Sequence, residues 1–77
     1  MDKSTIEAKI ITMLVEFMGK NNITKNSTFE ELGMDNLDSL EFIMKVGNEF
    51  CIKFNSSELA TLRSVDMIVA EVYDNLQ

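Results

Sequence analysis

The chain has 77 residues, with 13 acidic against 7 basic side chains and a formal net charge of −6. This length predicts one small domain, 1–77, which buries only about 60% of the surface that its unfolded chain exposes. The negative charge disfavours nucleic acid and favours basic protein surfaces as partners. Because the chain has no histidine and one cysteine, it lacks the usual general bases, disulfides and thiol metal sites, so we predict that it is not an enzyme and binds no metal.

The chain has no run approaching the ~20 apolar residues of a membrane span, and its first residues lack the basic and apolar regions of a signal peptide. We therefore expect no membrane span and a cytoplasmic protein. The lone Cys51 fits a reducing compartment, and we expect it to be a half-buried hydrophobic residue.

Apolar residues recur at three- and four-residue steps, which is typical of amphipathic helices, and no proline interrupts them. The first helix is predicted over residues 4–18, where Ser4 and Glu7 form a capping-box pattern at its start. Gly19 marks its end.

The next segment is polar, and its asparagines and serines favour turns. Ile23 is predicted to point inward, and Phe29 and Leu32 to dock a loop turn on the core. We therefore expect this long first loop to be ordered.

The second helix is predicted over residues 36–50, with Asp35 or Asn36 as its N-cap. Gly47 inside it costs up to about 1 kcal/mol relative to alanine. The residues predicted to form its inward face are Leu37, Leu40, Ile43, Met44 and Phe50.

An extended link is predicted to lead from Cys51 into a short helical turn around 58–62, capped by Ser56 or Ser57. Ser64 is predicted to cap the last helix, whose buried stripe is Val65, Ile68, Val69, Val72 and Leu76. The fold class is therefore all-α, a small bundle of three main helices and one short helix with a long ordered first loop.

The segment from Glu31 to Phe42 has the sequence ELGMDNLDSLEF. It resembles the attachment motif of acyl carrier proteins, in which a Leu-Gly-x-Asp-Ser-Leu run places a serine at the start of the second helix. The residues at the family's spacing are Leu32, Gly33, Asp35, Leu37 and Glu41. The likeness covers essentially the whole chain and implies the same bundle.

The resemblance implies that a phosphopantetheinyl transferase would join 4'-phosphopantetheine to a serine hydroxyl at position 36, and that the arm would carry acyl thioesters. Asn36 stands there instead, so the arm is expected for the family but absent from this chain as written. The implied function is an acyl carrier protein of a fatty acid, polyketide or specialised lipid pathway. Met44 and Met67 are expected inside, as core filling or as an adaptable lining for an acyl chain.

Three interpretations of Asn36 remain open. It could replace serine by design, it could be a natural change that leaves a non-acylated adaptor, or Ser39 could be the attachment residue. Register disfavours Ser39, because the family serine lies three residues after Gly33 and five before Glu41. We expect Ser39 to be an ordinary exposed helical serine.

Acidic residues step by three along the second helix and lie near one face of it. The resemblance implies that this face docks on basic patches of the transferase and of acyl-transferring or condensing enzymes, with the chain as a monomer. The predicted partner-recognition residues are Asp35, Leu37, Asp38, Glu41 and Met44. Lys45 and Asn48 dilute the acidic face, which favours a specialised pathway over general fatty acid synthesis.

Overall fold

The computed structural model describes residues 1–76, and no β-strand occurs within them. The helices are α1 (Lys3–Met18), α2 (Asn36–Phe50), α3 (Ser56–Thr61) and α4 (Val65–Asn75). The predicted bundle of three main helices and one short helix is confirmed. Helix α1 packs mainly on α4, and α2 lies against both α1 and α3.

The start of α1 differs from the prediction, because Asp2 rather than Ser4 is the N-cap. An Asp2 carboxylate oxygen accepts a hydrogen bond from the Thr5 backbone N–H at 2.9 Å, and the Ser4 hydroxyl donates to the same oxygen at 3.2 Å. These bonds from Thr5 and Ser4 lower the pKa of Asp2. Gly19 ends the helix in the left-handed region, at φ 68°, where glycine carries no steric penalty.

The long first loop is docked on the core as predicted. Ile23, Phe29 and Leu32 are all buried. The Phe29 N–H donates to the Arg63 carbonyl at 2.9 Å, and the Val65 N–H donates to the Ser27 carbonyl at 3.1 Å. The loop is therefore tied to the beginning of α4, and backbone groups that burial would leave unpaired are satisfied.

The core is built around Phe42 of α2, which is fully buried. Its ring meets Phe29 edge-on at 6.1 Å between centroids and lies 5.5 Å from Phe17. Full burial of a side chain of this size contributes about 1.5–3 kcal/mol. The aliphatic residues that surround these rings with no exposed surface are Ile6, Ile10, Leu14, Ile43, Val46, Val65, Ile68, Val69 and Val72.

The predicted inward face of α2 is wrong for three of its five residues. Leu37, Leu40 and Met44 are 63%, 38% and 55% exposed. The helix instead turns another row inward, because this row carries the bulk that fills the core; its members are Ser39, Phe42, Ile43, Val46, Gly47 and Phe50. Met67, expected in the interior, is 44% exposed, and Leu76 is 40% exposed rather than buried.

The end of α2 shows why a glycine is needed inside it. The link that follows the helix folds back so closely that a Cβ at Gly47 would lie 2.6 Å from the Ile52 carbonyl oxygen. Cys51 turns the chain in the left-handed region, at φ 58°, and is exposed rather than half-buried. Its backbone, and not its side chain, therefore makes the structural contribution.

Of the predicted caps of the last two helices, the cap of α3 is wrong and the cap of α4 is confirmed. Asn55, rather than Ser56 or Ser57, caps α3 in a full capping box with Glu58, with two hydrogen bonds of 2.8 Å. Ser64 caps α4 as predicted, accepting from the Met67 N–H at 3.2 Å.

Candidate functional site

The head of α2 is fixed by a short turn that leads into it. Gly33 adopts φ 75°, which only glycine adopts without strain. The Met34 N–H donates to the Phe29 carbonyl at 3.0 Å, and Met34 is buried. Thr28 and Glu31 also exchange backbone-to-side-chain hydrogen bonds of 3.1 Å. This turn delivers the chain to position 35 in a defined orientation.

Asp35 is the N-cap of α2, one of the two predicted candidates, and its carboxylate accepts from the Asp38 N–H at 2.8 Å. Asn36 follows as the first residue of the helix and is exposed. Unpaired N–H groups at a helix start favour negative charge nearby. Position 36 is therefore accessible and lies where an anionic group would be tolerated.

Ser39 is not the exposed serine that we expected. It is 2% exposed, and its hydroxyl donates to the Asp35 carbonyl at 2.9 Å. Residue 39 lies one helical turn before Ile43 and shares its inward row. Because this hydroxyl is both shielded and hydrogen-bonded, the folded chain does not offer it as a nucleophile.

The predicted partner-recognition residues do share the outer side of α2. Asp35, Leu37, Glu41 and Met44 are exposed, and Asp38 is partly exposed. We call these five residues the α2 face. Leu40, which was predicted in the core, lies beside Leu37 and Met44 on this surface. Three large apolar side chains at helical spacing on a surface are a signal of an interaction site.

The residues at this site do not fit an attached phosphopantetheine arm. The site needs an exposed hydroxyl, but Asn36 offers an amide, and the neighbouring hydroxyl of Ser39 is buried. Across residues 1–76, no group of three or more His, Cys, Asp or Glu side chains is placed to hold a metal ion. Within the same range, no helix is long and apolar enough to cross a membrane.

Comparison with known proteins identifies the family to which the fold and the motif belong. Residues 8–72 match the family model described as the phosphopantetheine attachment site. The chain is 36% identical over 64 residues to an acyl carrier protein homolog of Mycoplasmopsis pulmonis, covering 83% of this chain and 86% of that protein. It is 32% identical over 75 residues to an acyl carrier protein of Akkermansia muciniphila, covering 94% of each. The structure of an acyl carrier protein from Thermotoga maritima matches with a TM-score of 0.81 and 28% identity, covering 99% of this chain and 92% of that one.

The family match begins inside α1 and ends inside α4, so it includes the whole of α2. Proteins of this family are carriers rather than enzymes, and their prosthetic group is 4'-phosphopantetheine. The motif at the head of α2, the all-helical bundle and these matches lead to one conclusion: the chain belongs to the acyl carrier protein family.

Proposed function

We propose that this chain is a single carrier domain, 1–77, that docks on biosynthetic enzymes through the α2 face but, as written, holds no phosphopantetheine arm. Position 36 is the attachment position of the family in this proposal. The observation that carries it is the contrast at the head of α2: Asn36 is exposed without a hydroxyl, whereas the hydroxyl of Ser39 is buried.

Two versions of this proposal differ in which residue the source gene encodes at position 36. If the source gene encodes serine there, the protein is an acyl carrier and Asn36 is a substitution that removes its cargo. If the gene encodes asparagine, the protein is a non-acylated adaptor with a carrier fold. Asparagine is a good residue at a helix start, so either version folds.

The partners proposed for the α2 face are enzymes with basic patches beside their active sites, namely a phosphopantetheinyl transferase and acyl-transferring or condensing enzymes. Asp35, Asp38 and Glu41 supply the negative charge, which accelerates association and makes it sensitive to salt. Leu37 and Met44 supply apolar contact area. The dilution of charge at Lys45 and Asn48 favours a specialised polyketide or lipid pathway. A cytoplasmic monomer is part of the same proposal.

The attachment position is tested by intact-mass measurement after incubation with coenzyme A, Mg²⁺ and a permissive phosphopantetheinyl transferase. The chains compared are the original chain, Ser39→Ala, Asn36→Ser, and the double variant Asn36→Ser with Ser39→Ala. We expect both serine-36 chains to gain one arm and the chain as written to gain none. If the original chain gains an arm and Ser39→Ala does not, then Ser39 is the attachment residue and the proposal for position 36 is wrong.

Docking is tested separately from attachment by measuring transferase kinetics on the Asn36→Ser background. Neutralising Asp38 and Glu41 to their amides should raise KM, and the effect should shrink as salt is added. The matched control neutralises Glu30 and Asp66, two exposed acids outside the α2 face, with the same change in net charge. Equal effects of the two double variants would contradict docking through α2.

A further inference from the structure

The exposed side of α2 continues beyond the α2 face with a different charge. Leu37, Glu41, Lys45 and Asn48 follow one another at steps of four, four and three residues, so they line one side of the helix. All four are exposed. The negative half of this surface is therefore followed by a lysine and an amide.

Lys45 is not engaged in an ion pair by its acidic neighbours on α2. It lies four residues after Glu41 and four before Glu49, either of which is at a spacing that permits an ion pair. The carboxylate of Glu49 is instead held by Lys9 of α1 at 2.8 Å. Lys45 makes no salt bridge with any residue of the described range 1–76.

Beside Lys45 an open groove of about 550 Å³ separates α1 from α2. Met13 and Phe17 are half-buried and give it an apolar base. The groove is lined by Met13, Glu16, Phe17, Lys45, Asn48 and Glu49. Glu16 is exposed on the α1 side and would repel an anion there. On the α2 side the Glu49 carboxylate is paired with Lys9, so among these lining residues Lys45 is the cation that an anionic group would meet.

We infer that the partner surface is bipolar. Its basic side chains face Asp38 and Glu41. Its carboxylate lies about 6–10 Å further along the axis of α2, where it meets Lys45 at the rim of the groove. This spacing follows from the four to seven residues that separate Lys45 from the two acids. The inference rests on the proposed docking function and specifies its partner. Lys45 then contributes to specificity, because a uniformly basic patch would place a like charge against it.

The probe is a pair of amidated helical peptides that differ at one position. Both carry two arginines one turn apart and, one to two turns later, either a glutamate or a glutamine. Binding of each peptide to the full chain is followed by NMR titration at low salt. We expect the glutamate peptide to bind about two- to fivefold more tightly, the range typical of a surface ion pair, with shifts at Lys45 and Asn48.

The preference between the two peptides should disappear in Lys45→Gln and grow in Glu16→Gln. Lys25→Gln is the matched control, because it removes an exposed loop lysine and gives the same net charge as Lys45→Gln; there the preference should persist. Equal binding of both peptides to the original chain, or a preference that survives Lys45→Gln, would overturn the bipolar partner.

The same titrations separate this inference from the docking proposal. If Asp38→Asn with Glu41→Gln weakens both peptides equally and leaves their ratio intact, both proposals stand. If both peptides bind well but equally, only the bipolar partner fails. If neither peptide shifts resonances of α2, docking of basic segments on this helix fails and the inference fails with it.

Discussion

Replacing Gly47 with alanine should destabilise the protein, although alanine is the better helix former. Helix propensity alone would favour alanine by about 1 kcal/mol. The new Cβ, however, would lie 2.6 Å from the Ile52 carbonyl oxygen, where ordinary contact begins at 3.4 Å. The obstacle is backbone that cannot rotate away, and the Ile52 N–H is itself bonded to the Gly47 carbonyl at 2.8 Å.

Overpacking of this kind costs about 1–3 kcal/mol, and a strained hydrogen bond adds about 0.5–1.5 kcal/mol. Subtracting the propensity gain of about 1 kcal/mol leaves a net loss of about 0.5–3.5 kcal/mol for Gly47→Ala. In a domain of this size each kcal/mol shifts Tm by about 4–8 °C.

The assay for Gly47→Ala is thermal and urea unfolding followed by circular dichroism. Asn48→Ala is the matched control, since it makes the same new residue at the next position, which is exposed; its stability should change by no more than about 0.5 kcal/mol. A Tm of Gly47→Ala equal to or above that of the original chain would refute the argument from close backbone approach.

Substitutions at three further positions test the core, a cap and a carboxyl pair. Phe42→Ala should cost about 3–5 kcal/mol in urea unfolding, because it empties the centre of the core, and Phe42→Leu should cost less. Asp35→Ala should cost about 0.5–2 kcal/mol and Asp35→Asn much less, because only alanine removes the cap of α2; equal losses would contradict the capping role. A hydrogen bond with Glu58, together with burial, raises the pKa of Glu71, so folding disfavours the charged form. Glu71→Gln should therefore match the original chain in Tm below about pH 3, where the carboxyl is protonated in both states. It should exceed the original chain by a growing amount as pH rises from the ordinary to the raised pKa, above which the excess stays constant; a difference that is the same at every pH would contradict the pairing.

The helix caps show which local signals a sequence carries. Ser64 is identifiable because it precedes an apolar-periodic run without a close competitor, whereas Asp35 is one of two adjacent candidates, with Asn36. The two errors share one pattern, since Asp2 and Asn55 lie just before the serines that were preferred. Asp, Asn and Ser are nearly equal as N-caps, so the choice depends on where the helix begins. Tertiary packing sets that point.

The rotation of α2 could not be obtained from periodicity, because apolar residues occur around most of its circumference. The row of Leu37, Leu40 and Met44 and the row of Phe42, Ile43 and Val46 both have helical spacing. The larger volume of Phe42, together with its contacts to Phe17 and Phe29, decides which row is buried. A polar Ser39 in the inner row argued for the wrong choice, and its hydrogen bond to the Asp35 carbonyl removes that penalty.

The exposed apolar row of α2 bears on the function of the protein. Because the core is complete without Leu37, Leu40 and Met44, folding does not account for these side chains, which stand 38–63% exposed. Polar replacements there should leave the free energy of unfolding within about 0.5 kcal/mol, whereas a docking surface would lose affinity. Stability and partner binding are thus expected to be separable on this helix. The inner row, which ends at Phe50, maintains the fold, and the outer row of Leu37, Leu40 and Met44 is the surface that we propose faces the partner.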